Sequence, residues 1–270
     1  MMSRGKTWFE ALSGTDDRET KSTSVLCADG TVGGERVRFL AVVPNPEAKF
    51  PRAREGELGL EEGWALARHV REAMAEDGDG DRRRALVAVV DVPGQPYGYR
   101  EELLGLHLAL ASAVDAYATA RLAGHPVVAL LVGQAISGAF LAHGMQANRI
   151  LALEDPGVTV QVMSKRSTAR VTQRSVDELD EIAEEVPATA YDITSFARLG
   201  ALHRLIEGVD GDEPGAGDVE TVRDALAEMI SSARHDGSTD LSGRLASPEA
   251  HRHRSASLRV RERLAEEWSG

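Results

Sequence analysis

Two glycine-bearing segments each follow an apolar run, and they are the places where this chain could do chemistry. The first is Asp91 to Gly98 (DVPGQPYG), after Ala85 to Val90 (ALVAVV). The second is Val132 to Ala139 (VGQAISGA), which closes the run Val127 to Val132 and opens into a helical pattern. A loop glycine lets a backbone N–H approach a ligand oxygen closely and permits positive φ. A following helix adds unpaired N–H groups and the positive end of its dipole. Together these suit a ligand that carries or develops negative charge, such as a thioester enolate. The plainer reading is that Gly133 and Gly138 allow tight strand–helix packing, because isolated glycine loops are weak signals.

Other reactive side chains read as structural. Ser137 lies in Gly-Gln-Ala-Ile-Ser-Gly, which is not the Gly-x-Ser-x-Gly elbow of hydrolases. It stands where a helix N-cap belongs, and the N-cap reading is preferred to a nucleophile. The eight histidines show no metal-ligand spacing. His125 precedes Pro126 at a strand start and His143 lies on a short helix; each is read as structural. Asp91 could act as a base, but a carboxylate at a strand end more often accepts from loop N–H groups. Glu61 and Glu62 read as a helix start, where carboxylates offset the dipole.

The elements that must position the two loops alternate between strand and helix. Ser24–Ala28 and Glu35–Val43 read as strands joined by a Gly/Asp-rich turn, ended by Pro44 and Pro46. Leu60–Ala75 reads as a helix, with Leu66, Val70, Ala73 and Met74 on one face. Ala85–Val90 and Val127–Val132 are continuous apolar runs, as expected for neighbouring strands covered on both faces. Glu101–Ala123 reads as one long, nearly apolar helix ended by Gly124 in a left-handed C-cap. Gly133–Ser137 reads as a loop, Gly138–Gly144 as a short helix, and Arg149–Leu153 and Val158–Met163 as strands. Beyond Ser175 the chain reads as helical and more charged. This is an α/β pattern in which ligands bind beyond the carboxyl ends of the strands. The expected division is an N-terminal arm at 1–23, with a short amphipathic helix over Lys6–Leu12, one domain at 24–233, and a polar tail at 234–270. The tail is read as mobile over His235–Ser255, with a last helix over Val260–Trp268.

Bulk composition narrows the function. Of 270 residues, 42% are hydrophobic and only 4% aromatic, so an aliphatic core is expected. A formal charge of −12 argues against a nucleic-acid partner, which calls for a basic surface. One cysteine, Cys27, precludes an internal disulfide or a cysteine metal cluster. Met1–Gly14 holds no apolar run of signal-peptide length, and no run is long enough to span a membrane. A soluble cytoplasmic protein is the expectation.

The two loops in succession, with a helix and strand between them, resemble the carboxyltransferase domains of biotin-dependent carboxylases. Within that superfamily the chain resembles the gamma subunits of malonate decarboxylases. The carrying segments are Phe39–Trp64, Asp91–Gly98, Gly133–Ile150 and Val158–Thr172, so the likeness spans roughly Val25 to Leu205. The resemblance implies a crotonase-like spiral of ββα units, here the C-type half of a carboxyltransferase. It implies a subunit that, with a beta subunit, decarboxylates malonyl thioester on an acyl carrier protein to acetyl thioester and CO₂. An acyl-carrier-protein transferase subunit would complete the complex, with neither nucleic acid nor membrane as a partner. No cofactor would be bound by this chain itself; a phosphopantetheine-like group would arrive on the carrier protein.

By resemblance, Gly98 and Tyr99 occupy the loop forming one anion-binding hole, with Gly138 beside it. Gly94, Gly133, Gln134 and Ser137 would line the substrate. Ala135-Ile136 replaces the paired glycines common in biotin-dependent relatives, which weighs against biotin docking. Two alternatives remain: a biotin-dependent carboxyltransferase subunit, or a scaffold subunit whose partner performs all catalysis.

Overall fold

The computed structural model describes residues 3–15, 23–78, 80, 82–237 and 239–268. The sequence reads as a polar loop over Gly14–Ser24 and again over Glu76–Arg84; most of the first, and Asp79 and Asp81 of the second, lie outside the described residues. The chain opens with α1 (Arg4–Ser13), capped by Ser3, whose hydroxyl accepts from the Lys6 N–H, and by Gly14 in the left-handed region. The amphipathic segment expected over Lys6–Leu12 is this helix, and it is not a free arm. Trp8, Phe9 and Leu12 are buried in the core, and the Trp8 indole donates to Gly211 O at 3.0 Å.

Strands β1 (Val25–Val32) and β2 (Glu35–Val42) form an antiparallel hairpin. The turn is only Gly33-Gly34, both at positive φ, so β1 runs four residues further than Ala28. Helix α2 (Leu60–Asp77) leads to β3 (Ala85–Val92), which lies parallel to β2. The single helix expected over Glu101–Ala123 is broken. Gly105 at φ 85 separates α3 (Tyr99–Leu103) from α4 (Leu106–Leu122). Gly124, at φ 90, ends α4 in the left-handed conformation as expected.

Strand β4 (Val127–Ile136) pairs parallel with β3, Leu86 facing Val127 and Val90 facing Leu131. These are the two apolar runs, and they are neighbours buried on both faces. The strand does not stop at Val132. Gln134, Ala135 and Ile136, expected in a loop, pair with β6 (Thr159–Gln161), while the first half of β4 pairs with β5 (Arg149–Leu153). The expected loop is a strand because a second partner, distant in sequence, supplies its ladder. Helix α5 (Ser137–Ala142) follows β4 directly.

Next come α6 (Lys165–Thr172), α7 (Val176–Glu185) and α8 (Ile193–Arg198), and β7 (Arg204–Ile206) completes, among the described residues, a seven-stranded sheet of order β1-β2-β3-β4-β5-β7 with β6 off that path beside β4. Helix α9 (Ala216–Asp236) packs with α1 on the sheet, and α2 packs with α4. The stretch read as mobile, His235–Ser255, contains α10 (Pro248–His253), and α11 (Ser255–Trp268) covers the last helix expected over Val260–Trp268; Arg244 is buried with its guanidinium on Ala147 O. Low hydrophobicity misleads there because one long cation, Arg244, and one alanine, Ala250, provide the buried anchorage.

Candidate functional site

The β3–β4 ladder loses register at its carboxyl end, and the site is built around that irregularity. Val90 faces Leu131, yet Val92 faces Ala135, so β4 carries extra residues opposite Asp91. The Asp91 carboxylate repairs the gap. Its Oδ1 accepts the Gln134 N–H at 3.0 Å and its Oδ2 accepts the Gly5 N–H of α1 at 3.0 Å. Gly133 is required beside it, since a Cβ there would lie 2.1 Å from Asp91 Oδ1. Asp91 is thus the N–H acceptor expected at a strand end, and Gly133 is a packing glycine.

Beyond this point the two loops touch. Ala139 N–H donates to Gln95 Oε1 at 3.2 Å, and Gln95 Nε2 donates to the Tyr97 hydroxyl at 2.9 Å. The Tyr97 and Ser137 hydroxyls are 3.1 Å apart. A Cβ on Gly138 would press on the Gln95 amide at 3.2 Å. Gly94, at φ 132, is buried and accepts the Leu58 N–H through its carbonyl at 3.0 Å. Gly94, Gly133, Gln134, Ser137 and Gly138 therefore gather at the carboxyl ends of β3 and β4.

Gly98 and Tyr99 begin α3. Gly98 is its N-cap, and the Glu101 carboxylate already fills the space a Cβ would take, 2.1 Å away. Tyr99 is 84% exposed, and it is Tyr97 that meets the second loop. Sequence reasoning passed over Gln95, Tyr97 and Glu101. Tyr97 and Gln95 could have been flagged as the polar side chains inside a loop already singled out for its glycines.

Ser137 departs from its expected role. It is not the N-cap, which is Ile136, and no side chain caps α5. Ser137 itself is helical residue one, at φ 57, and with Gln173 it is one of two non-glycine residues at positive φ among the described residues. Such a conformation costs roughly 1–2 kcal/mol and clusters at functional sites. Ser137 and Gly138 stand at one end of a cleft of about 580 Å³ whose walls are mainly apolar, including Phe140, Leu141, Met145, Val162 and Met163. A second cavity of about 550 Å³, bordered by Ser24, Cys27, Glu62 and His69, includes no residue of either loop.

Beneath the site, His143 is fully buried, with Nε2 3.1 Å from Val89 O and Nδ1 3.1 Å from the Tyr117 hydroxyl. Val89 O can only accept, so Nε2 carries the proton and Nδ1 accepts from Tyr117. Burial pushes the His143 pKa down to about 4 and holds the Tyr117 phenol above its ordinary range. His125 is also buried, and burial depresses it too; its Nδ1 lies 3.0 Å from Arg84 O. Both histidines are structural, as expected. Burial likewise raises the Cys27 thiol to about 11, which keeps it protonated. Among the described residues no group of three or more His, Cys, Asp or Glu could hold a metal, and no helix is long and apolar enough to cross a membrane.

Residues 53–268 match the family model of the malonate decarboxylase gamma subunit. The match runs through the helical C-terminal segment, where the sequence offered no motif. A Malonomonas rubra protein, malonyl-S-ACP:biotin-protein carboxyltransferase, is 39% identical over 204 residues, covering 74% of this chain and 65% of its own length. The chain therefore spans just under two thirds of that relative. A chain of a Pseudomonas malonate decarboxylase hetero-tetramer in complex with coenzyme A superposes with a TM-score of 0.92 at 53% identity, covering 98% of this chain and 100% of that one. Transcarboxylase 12S shares the fold alone, with a TM-score of 0.58 at 20% identity over 79% of this chain and 36% of its own. The sheet with its flanking helices is thus the crotonase-like fold of carboxyltransferases, and the chain belongs to the malonate decarboxylase gamma subunit family.

Proposed function

We propose that this chain is the gamma half of a malonyl-thioester decarboxylase, active together with a beta subunit. The supporting observation is the meeting of the Gly94–Gly98 and Gln134–Gly138 segments at the carboxyl ends of two central parallel strands. The substrate is a malonyl group held as a thioester on the phosphopantetheine-like arm of an acyl carrier protein. Loss of CO₂ breaks the bond between C2 and the carboxylate and leaves its electron pair in the thioester as an enolate. Backbone N–H groups near Gly98 and Gly138 stabilise that charge, each worth roughly 3 kcal/mol. The Glu101 carboxylate occupies the place of a Gly98 Cβ, so a side chain at this position would have to displace it.

The beta subunit completes the cleft. Tyr99, Leu103, Leu104 and Leu108 are each more than half exposed on α3 and the start of α4, and Leu141 and Val162 are so at the cleft. A clustered apolar surface of this kind marks a partner. The relative of known structure is itself part of a hetero-tetramer. The acyl carrier protein and its transferase are the further partners of this reading, and the cytoplasm is its compartment.

A second reading has one specific observation behind it. The Malonomonas rubra relative is a carboxyltransferase to a biotin-protein. In that reading the carboxyl group passes to biotin instead of leaving as CO₂. One experiment separates the two. The chain is copurified with a beta subunit, and CO₂ release from malonyl thioester is measured for each subunit and for the pair, with and without avidin. The proposal expects activity only from the pair and insensitivity to avidin. Full activity of the beta subunit alone would leave this chain a scaffold, and avidin inhibition would favour the biotin reading.

A further inference from the structure

We propose that the Ser137 hydroxyl is the proton donor to the carbanion left by decarboxylation, and that Tyr97 and Gln95 set its direction. The inference rests on the reaction proposed above and names a residue role within it.

Ala139 N–H can only donate, so the Gln95 atom 3.2 Å from it is the carbonyl oxygen. That fixes the amide, and its NH₂ faces the Tyr97 hydroxyl at 2.9 Å. An amide NH₂ cannot accept, so the Tyr97 oxygen receives that bond. That bond leaves the phenolic hydrogen unspent, and Ser137 Oγ lies 3.1 Å away in a contact that either hydroxyl could donate. In the proposed arrangement Tyr97 is the donor, Ser137 Oγ accepts, and the Ser137 hydrogen is left for a ligand. The chain then runs from Gln95 through Tyr97 to Ser137.

Backbone strain places the last member of the chain. Ser137 sits at φ 57 between a strand and a helix, a conformation that glycine would adopt without penalty. A serine kept there projects its hydroxyl from a sharp strand-to-helix turn, the device by which hydrolases present a nucleophile. Among the described residues no histidine or carboxylate is hydrogen-bonded to the Ser137 hydroxyl, which meets Tyr97. His143 is the nearest histidine in sequence, and both its ring nitrogens are occupied by Val89 O and the Tyr117 hydroxyl. With Tyr97 delivering a hydrogen to it, Ser137 is placed as a donor and not as an attacking group.

The step balances. The enolate C2 takes the Ser137 proton and forms a C–H bond as the Ser137 O–H bond breaks. Tyr97 passes its phenolic proton to Ser137 Oγ. Tyr97, 60% exposed, recovers a proton from water. The net change is one solvent proton in place of CO₂, with no oxidant or reductant.

The test uses the complex of this chain with its beta subunit and malonyl thioester as substrate. Ser137→Gly removes the hydroxyl and relieves the positive φ, so it guards against misfolding; Ser137→Ala is its companion. Both are expected to lower kcat about a hundredfold or more, the scale of a lost general acid. KM should stay within about twofold, because the donor acts after the substrate is bound. Protonation then limits the rate, so the solvent deuterium isotope effect on kcat should exceed that of the parent. Tyr97→Phe should lower kcat less, and adding it to Ser137→Gly should bring no further loss, since the two act in series. A Ser137→Gly complex within threefold of parental kcat overturns the role. So does a loss that resides in KM, or one without a larger isotope effect. A parent complex with no decarboxylase activity overturns the functional reading itself, and the donor role falls with it.

Discussion

Asp91 is the side chain whose removal most sharply separates a structural from a catalytic role. Its two carboxylate oxygens each hold one backbone N–H, Gly5 in α1 and Gln134 in β4. Hydrogen bonds to a charged group contribute about 1.5–3 kcal/mol each. The Gln134 end is exposed, so the low end of that range applies, and Asp91→Ala should destabilise the chain by about 3 kcal/mol. Gly133→Ala attacks the same joint from the other side. Its Cβ would lie 2.1 Å from Asp91 Oδ1 and must expel the carboxylate, so its cost should also be about 3 kcal/mol.

In the double variant the offending oxygen is absent and the alanine methyl occupies its place. Its total cost should stay near about 3 kcal/mol, where additivity demands about 6 kcal/mol, a coupling of about 3 kcal/mol. Urea denaturation of the four proteins, extrapolated to water, measures the cycle. Additivity within about 0.5 kcal/mol would refute the stapling account. If Asp91→Asn abolished turnover of the assembled complex and left stability unchanged, Asp91 would be a base and not a staple.

Three further outcomes follow from the geometry. Gly138→Val, pressing on the Gln95 amide, should lower turnover of the complex about a hundredfold with assembly intact by size-exclusion chromatography; parental turnover would remove Gly138 from the site. Gly63→Ala drives a Cβ to 2.6 Å from the Ala109 carbonyl oxygen where α2 meets α4, and should cost about 2–3 kcal/mol in a denaturation midpoint without altering turnover per folded complex. His143 has a folded pKa of about 4 against about 6.5 unfolded, so the unfolded chain binds the extra proton and stability falls as pH drops from about 6.5 towards 4. Between about pH 7 and pH 5 that amounts to about 2 kcal/mol; denaturation of His143→Gln at both values should show the loss shrink by that much, and an unchanged loss would mean His143 is not the titrating group.

The sequence by itself determined the α/β class, the two central strands and the two loops at their ends. These are local signals: an unbroken apolar run marks a strand covered on both faces, and glycines after it mark a loop that something must approach closely. The roles of His125 and Asp91 were legible for the same reason, since a strand terminus leaves backbone groups that a neighbouring polar side chain can satisfy.

What only the tertiary structure decided depends on partners far apart in the chain. Gly133 to Ile136 read as a loop because nothing nearby shows that β6 will pair with it. Glu101–Ala123 read as one helix because its apolar residues conceal the break at Gly105, where φ is positive. Trp8, Phe9 and Leu12 are core because the Asp91 carboxylate and Gly211 carbonyl hold α1 against the sheet. Ser137 is the clearest instance. Its residue type and place in the sequence read as an N-cap, and its hydroxyl instead meets that of Tyr97 in the other loop. Hydrogen-bond polarity passes through space between loops that are some forty residues apart, and no pattern of residue types along the chain encodes it.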